Sequence, residues 1–483
     1  MEIYICRIKR IDFGLRYKLH IRIRRSVIRP VEVSFTKVKN IDIPTFEQAL
    51  RWSTLFTNPT STADSFADQL ADVVSTELDL IAPLKTCLRR QSKPSTKWLS
   101  KEAADAKRER RRLEDVWKRH GRELDYVEYR RSCRLATKLI NESRRKDHQR
   151  QLAECTNSGK MWGVAKKLLH TSDRDETRTI DENHTLCSTF SKFFAAKIED
   201  LKHSIQAKML SLTSSNQYPD CPFTCNSISN FSPVTPDKVS KLLLSSSTKS
   251  SRQDFIPTSL IKSCSSVFSE LISTIANLSF SEGTFPSRFK LALVSPLIKK
   301  HGLDKEALSN YRPISNLNNI SKILERLLLA RVQDHIISST NFNPFQSAYR
   351  KYNSTETALL LTLDNIFQSI DQGMSTVLVS LDLSAAFDTI DHSILLNRLQ
   401  SSFGIHGTAL SWFHSYLSNR TQFVQIGNSR SFISSCPTGV PQGSVLGPMI
   451  FSLYISPIPH NVSSFGLLQQ YADDTQICCC FTP

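Results

Sequence analysis

The 483-residue chain has no long uninterrupted apolar run, which excludes a bilayer-spanning helix on hydropathy alone. Its best candidate, Val445 to Ile458, is cut by Gly447, Pro448 and Pro457. Met1 to Arg10 mix apolar and basic residues without the continuous apolar core of a secretory signal. The 12 cysteines lack paired spacing. Cys221 and Cys225 have no second Cys/His pair at zinc-finger distance, and Cys478-Cys479-Cys480 is too compact for a tetrahedral site. Reduced thiols are therefore expected, and with them an intracellular setting, nucleus or cytoplasm undecided. Acid is also scarce: 45 Asp and Glu face 62 Lys and Arg, a net charge of +17. That imbalance favours a polyanionic partner, because cations that neutralise phosphates gain from counterion release. No membrane or protein partner is indicated.

Length leaves room for two to four domains. Residues 1–30 alternate apolar and basic types, as in Ile21-Arg22-Ile23-Arg24, and suit a short edge strand. Pro30, Pro44, Pro59, Pro83 and Pro94 punctuate the next stretch of chain, so residues 1–95 are expected to be short elements and linkers. No proline occurs between Pro94 and Pro219, and residues 101–150 hold 17 Lys and Arg against 10 Asp and Glu. Leu99, Ala103, Ala106, Leu113 and Trp117, then Leu124, Val127, Leu135 and Leu139, fall at helical spacing on either side of Gly121. Residues 96–170 thus read as a basic helical region with a hairpin near Gly121. Its Lys107, Arg108, Arg110, Arg111 and Arg112 would lie along a nucleic-acid backbone, or else form a solvated face with internal ion pairs. Residues 171–253, rich in Ser, Thr and Asn, read as a linker around a short amphipathic helix near Phe190–Leu201. From residue 254 to 483, strand-like runs (Leu291–Ile298, Val377–Leu383, Phe423–Ile426) alternate with helical patterns (Ser321–Ile337, Thr355–Ile370, Ser393–Leu399). The fold class is α+β.

Within that region, the run Val377–Leu383 places Val377, Val379, Leu381 and Leu383 on one strand face and Ser380 and Asp382 on the other. An acid in an apolar strand is costly to bury unless a cation compensates it. By itself such an acid is more often a strand-end cap or a salt-bridge partner. Tyr471-Ala472-Asp473-Asp474 lies between two extended runs and reads as a hairpin with carboxylates at its tip. Two hard cations held ~3.5–4 Å apart by shared carboxylates can activate a 3′-hydroxyl and stabilise leaving pyrophosphate. Between these acids, Gly439-Val440-Pro441-Gln442-Gly443-Ser444-Val445-Leu446-Gly447-Pro448 makes a glycine-rich turn, unremarkable alone, that permits close approach of another backbone or a nucleotide. The Gln442 amide there suits a nascent base pair.

Taken in order, these segments resemble the palm of non-LTR (LINE-type, jockey-like) retrotransposon reverse transcriptases. Leu381–His392 is similar to the family's first catalytic motif, Gly439–Pro448 to its second and Tyr471–Asp474 to its third. Asn310–Ser315 and Gln346–Lys351 resemble fingers motifs, and Trp412–Arg420 the stretch after the first motif. The resemblance runs from near Val234 onward and implies a right-hand polymerase, with fingers and palm around a central antiparallel sheet. It implies an RNA-directed DNA polymerase acting on an RNA template, a DNA primer and deoxynucleoside triphosphates. Asp382, Asp473 and Asp474 would hold two Mg²⁺ ions, with Mn²⁺ as an alternative. Phe387 would be the steric gate beneath the incoming sugar, or else a core aromatic. Gln442 and Gly443 would border the nucleotide, and Arg312 and Arg350 would meet phosphates, or else form surface salt bridges. Asp388 would shape the turn after the strand and Asp391 cap the helix at His392. The basic region resembles the segment joining endonuclease to polymerase.

Three departures bear on activity. No endonuclease motif is found in residues 1–95, nine residues follow Asp474, and Ala348-Tyr349 stands where Gly-Phe is more usual. A truncated copy, thumb absent, is the resulting expectation. The alternatives to a polymerase are an inactive copy that only binds nucleic acid, and a related enzyme such as an intron maturase or a viral RNA polymerase. Phe387 favours a DNA product.

Overall fold

The computed structural model describes residues 31–35, 41–83, 85–89, 98–156, 161–165, 180–211, 227–300, 302–459 and 467–482. The proposed edge strand in residues 1–30 and the Cys221–Cys225 pair lie outside them. The chain divides into two compact units, one from residues 1–35 and 85–177, the other from 36–84 and 178–483.

In the smaller unit, β1 (Val31–Phe35) pairs antiparallel with β2 (Lys85–Arg89). The helices Lys101–His120 and Glu123–Ala153 form a hairpin. Ser100 caps the first by accepting from the Ala103 amide, and Gly121 ends it in the left-handed conformation at φ 68°. The seam differs from the apolar spacing in the sequence. Leu124, Val127 and Leu135 stay exposed, while Ala103, Ser132, Ala136 and Ser143 are buried. Small side chains let the helix backbones approach, and Trp117 stacks on Tyr129 at 5.5 Å near the turn.

The larger unit is built around helices Ala63–Ile81, Ser265–Glu282, Asn319–Ser338 and Gly407–Leu417. Trp412, Tyr416, Phe268, Phe285 and Phe289 fill its centre. Residues 41–83 belong to this core, contrary to the expected linker character of residues 1–95. Pro44 sits in the first turn of helix Ile43–Trp52, where no amide hydrogen is needed, and Pro59 and Pro83 fall outside helices. The Glu282 carboxylate accepts from the Ala63 amide at 3.0 Å, and Arg51 pairs with Glu270 at 2.8 Å. The linker expected over 171–253 differs as well. It contains a 32-residue helix, Ile180–Ser211, whose Cys187, Phe190 and Phe194 pack on Val294 and Val424. It also contains helix Pro236–Ser245, anchored by Val239 and Leu243. The short amphipathic helix expected near Phe190–Leu201 falls inside the first, which extends beyond it at both ends.

Two sheets complete the unit, giving a mixed α+β architecture. In one, β3 (Leu291–Ile298) lies between β4 (Tyr311–Asn316), antiparallel, and β6 (Thr421–Ile426), parallel. The short β7 (Ser429–Arg430) and β8 (Ser434–Ser435) pair with β6. The other is wholly antiparallel, ordered β5 (Ser375–Leu381), β10 (Asp474–Phe481), β9 (Leu467–Tyr471).

Candidate active site

The antiparallel sheet sets the three acids at one of its ends. β5 pairs with β10 from Ser375↔Phe481 to Leu381↔Thr475, so Asp382 leaves the ladder beside Asp474. Tyr471 pairs with Asp474, leaving Ala472 and Asp473 as a two-residue turn. Asp382 and Asp474 are exposed and Asp473 is half-buried. Asp382 thus stands past the end of its strand, so the burial cost expected from the sequence does not arise. Three carboxylates at one sheet end form a hard-oxygen donor set. Among the described residues, no three His, Cys, Asp or Glu side chains gather closely enough to hold an ion as they stand.

The turn Gly439–Pro448 is stitched to the segment after Asp382. The Gly439 amide donates to Ile390 at 2.8 Å, Val440 to Phe387 at 2.8 Å, and His392 Nε2 meets the Gly439 carbonyl at 2.7 Å. A Cβ at Gly439 would lie 2.7 Å from the Phe387 and Asp388 carbonyls, and one at Gly443 2.5 Å from the Ser315 carbonyl. Glycine is required at both positions by close backbone approach. The Ser315 amide donates to the Gln442 carbonyl at 2.8 Å, which ties the turn to β4 and hence to the strand carrying Arg312. Behind it, the fully buried Glu325 carboxylate accepts from the Val445 and Leu446 amides at 2.6 and 3.0 Å. Burial pushes this carboxyl above its ordinary pKa, partly offset by those amides and by Arg420.

Phe387 is half-buried and stacks on Phe451 at 4.9 Å, so the ring has a fixed pose at the edge of the core. Arg312 is exposed on β4. Arg350 instead donates to the Pro344 carbonyl at 2.9 Å and lies 5.9 Å over the Phe342 ring, within its own loop. Asp391 caps helix His392–Ser401 by accepting from the Ser393 and Ile394 amides at 2.8 and 3.0 Å, as its position suggested. Asp388 lines a cavity of about 350 Å³ with Lys197, Arg420, Cys436 and Pro441. Burial pushes its carboxyl up to about 6, against the pull of Lys197. This cavity backs the two catalytic-motif loops and does not include the three acids.

In the smaller unit the basic run is partly engaged along its own helix. Arg108 pairs with Asp105 at 2.9 Å and Arg112 with Glu109 at 2.7 Å. Arg111 is exposed, and Lys107 and Arg110 are half-buried.

Glu325, which supports the Gly439–Pro448 turn, lies outside every motif of the sequence. Its one signal is a carboxylate flanked by Ile323, Leu324, Leu327 and Leu328, which needs partners where it is buried.

Residues 298–482 match the family model described as reverse transcriptase (RNA-dependent DNA polymerase). The chain is 26% identical over 466 residues to the probable RNA-directed DNA polymerase from transposon X-element of Drosophila melanogaster, covering 92% of this chain and 49% of that protein. It is 32% identical over 196 residues to the probable RNA-directed DNA polymerase from transposon BS of the same organism, covering 39% and 21%. It is 29% identical over 214 residues to the RNA-directed DNA polymerase from its mobile element jockey, covering 43% and 23%. The matches therefore span about half or less of these relatives. Among the described residues, no helix is long and apolar enough to cross a membrane.

Proposed function

Residues 298–482 carry a reverse transcriptase domain of the non-LTR retroelement kind, and on that premise we propose that the chain extends a DNA primer on an RNA template. The observation that carries this is the β5–β10 register, which sets Asp382 beside the Asp473-Asp474 turn at one end of a sheet. The primer 3′-oxygen forms a bond to the α-phosphorus of a deoxynucleoside triphosphate, and pyrophosphate leaves. Asp382, Asp473 and Asp474 are the hard oxygen donors that would hold two Mg²⁺ or Mn²⁺ ions on converging, and the ions would stabilise charge on the transferring group and activate the hydroxyl. Gln442 and Gly443, fixed against β4, border the nucleotide. Phe387, braced by Phe451, selects against a 2′-hydroxyl, and Arg312 meets phosphate from β4. Arg350 has a lesser part in phosphate contact, because its guanidinium serves its own loop. The antiparallel sheet is the palm, and the β3–β4–β6 sheet the base of the fingers.

Primer extension by the full chain, with RNA template, deoxynucleotides and Mg²⁺, tests this reading; extension that persists in Asp382→Asn overturns it. The basic hairpin supplies sequence-independent contact to the nucleic-acid backbone through Lys107, Arg110 and Arg111, with Arg108 and Arg112 exchanging their intrahelical carboxylates for phosphates. Its binding should fall steeply with salt, and Arg111→Ala should lower the log–log salt slope by about one. An unchanged slope would remove Arg111 from the contact.

A further inference from the structure

The turn that carries Asp473 is built with an unusual residue. Ala472, its first central position, is left-handed at φ 57°, a conformation that two-residue hairpin turns normally give to glycine or asparagine. One buried side chain holds it there. Gln346 Oε1 accepts from the Ala472 amide at 2.9 Å, and Gln346 Nε2 donates to the Ala472 carbonyl at 3.1 Å. Both backbone polar groups of the strained residue are thus bound by a single amide, fully enclosed by protein.

That amide is itself anchored. Its segment runs parallel to the outer edge of β9, with the Ser347 amide donating to Gln470 at 2.9 Å and the Gln470 amide to Phe345 at 3.0 Å. Gln469 Nε2 donates to Ser347 Oγ at 2.6 Å, and Gln470 Nε2 to Thr475 Oγ1 at 3.1 Å. Oε1 of Gln346 also accepts from the Ala348 amide at 3.1 Å, which fixes its rotamer.

We propose that Gln346 is a positioning residue for the polymerase reaction: its amide clamps Ala472 in the left-handed conformation and so sets the direction of the Asp473 and Asp474 carboxylates. This rests on the proposed function above. A carboxylate displaced by a fraction of a bond length misplaces whatever it holds, and misplacement near 1 Å costs about a hundredfold in rate.

The test uses the full chain with Gln346→Met, which keeps volume and removes the hydrogen bonds, and Gln346→Glu, which keeps the acceptor oxygen and loses the Nε2 donor. Two readouts are taken: hydrogen exchange of the 467–476 segment, and primer extension resolved into kcat, primer–template KM and Mg²⁺ midpoint. Gln346→Met should raise turn-amide exchange and lower kcat by about ten- to a hundredfold, with KM unchanged and the Mg²⁺ midpoint raised. Gln346→Glu should fall between. Adding Ala472→Gly to Gln346→Met should recover at least about threefold in kcat, because glycine holds the turn conformation without a clamp. Unchanged turn exchange, or kcat loss that neither Gln346→Glu nor Ala472→Gly relieves, overturns the proposal. If the unmutated chain extends no primer, the functional reading fails, and the clamp is decided by exchange alone: faster exchange in Gln346→Met reversed by Ala472→Gly supports it, and no reversal overturns it.

Discussion

In the helical core of the larger unit Trp412 and Tyr416 are wholly enclosed, whereas along β5 Val377, Leu378 and Leu381 keep 48%, 45% and 46% of their surface exposed. Both runs are apolar in sequence, yet they serve the site differently. The turn Gly439–Pro448 is fixed from behind by the dense core, through Glu325 and the stacked Phe387–Phe451 pair. The acids sit on a thin three-stranded layer. Helix Thr355–Asp371 packs on that layer, Leu468, Ile477 and Cys478 are buried in it, and hydrogen bonds such as Thr362 to Gln476 at 3.1 Å and Gln346 to Ala472 tie its edges. The Gly439–Pro448 turn is tied by hydrogen bonds to a dense core, whereas the turn that carries Asp473 is tied by hydrogen bonds to a thin sheet.

The largest expected effects break that division cleanly. Asp473→Asn leaves the ladder intact and removes a charged ligand, so primer extension should fall by at least about a thousandfold with little change in melting temperature. Activity retained to within tenfold would remove Asp473 from the site. Trp412→Ala should do the reverse. Its ring stacks on Tyr416 at 5.5 Å and meets Phe285 at 5.3 Å, and its indole donates to Ser279 at 2.8 Å. Loss of that contact network should cost about 3–5 kcal/mol in urea unfolding. A cost under about 1 kcal/mol would mean that the core can collapse around the gap.

Asp388 sharpens the comparison on the core side. Its folded-state pKa of about 6 exceeds the ordinary value of 3.8, so the folded chain holds a proton that the unfolded chain releases. Stability from this group is therefore full below about pH 4 and declines as pH rises to about 6, by about 3 kcal/mol. Asp388→Asn should remove that decline and be the more stable form at about pH 7.5, with near equality at about pH 4. Parallel unfolding curves at the two pH values decide it, and an equal difference at both would refute the burial of the charge.

Much of this is legible in the sequence because the signals are local. The apolar pattern marks β3 to the residue, and helices Thr355–Asp371 and His392–Ser401 to within about two. The acids are legible only through the motif resemblance, because a strand-end Asp and an Asp-Asp turn each have an ordinary structural reading. The illegible part is long-range. Residues 41–83 resemble a linker because Pro44, Pro59 and Pro83 mark helix boundaries as readily as loops. Helix Ile180–Ser211 is longer than its pattern suggests because its apolar contacts involve only a few residues, and Leu124, Val127 and Leu135 align on a face that the hairpin leaves in water. Gln346 and Glu325 act through partners 126 and 120 residues away, a separation no spacing rule reaches.

The smallest expected effect tests the exposed side directly. Leu378 pairs with Cys478 in the middle of β5, and its side chain is 45% exposed, so the folded state gains only part of its transfer free energy. Threonine keeps β-propensity while exchanging apolar surface for a hydroxyl that water can satisfy. Leu378→Thr should change unfolding free energy by less than about 0.5 kcal/mol and leave primer extension within twofold. A cost of about 2 kcal/mol would show that β5 is covered in solution, and the contrast with Trp412 would then be one of partner rather than of packing.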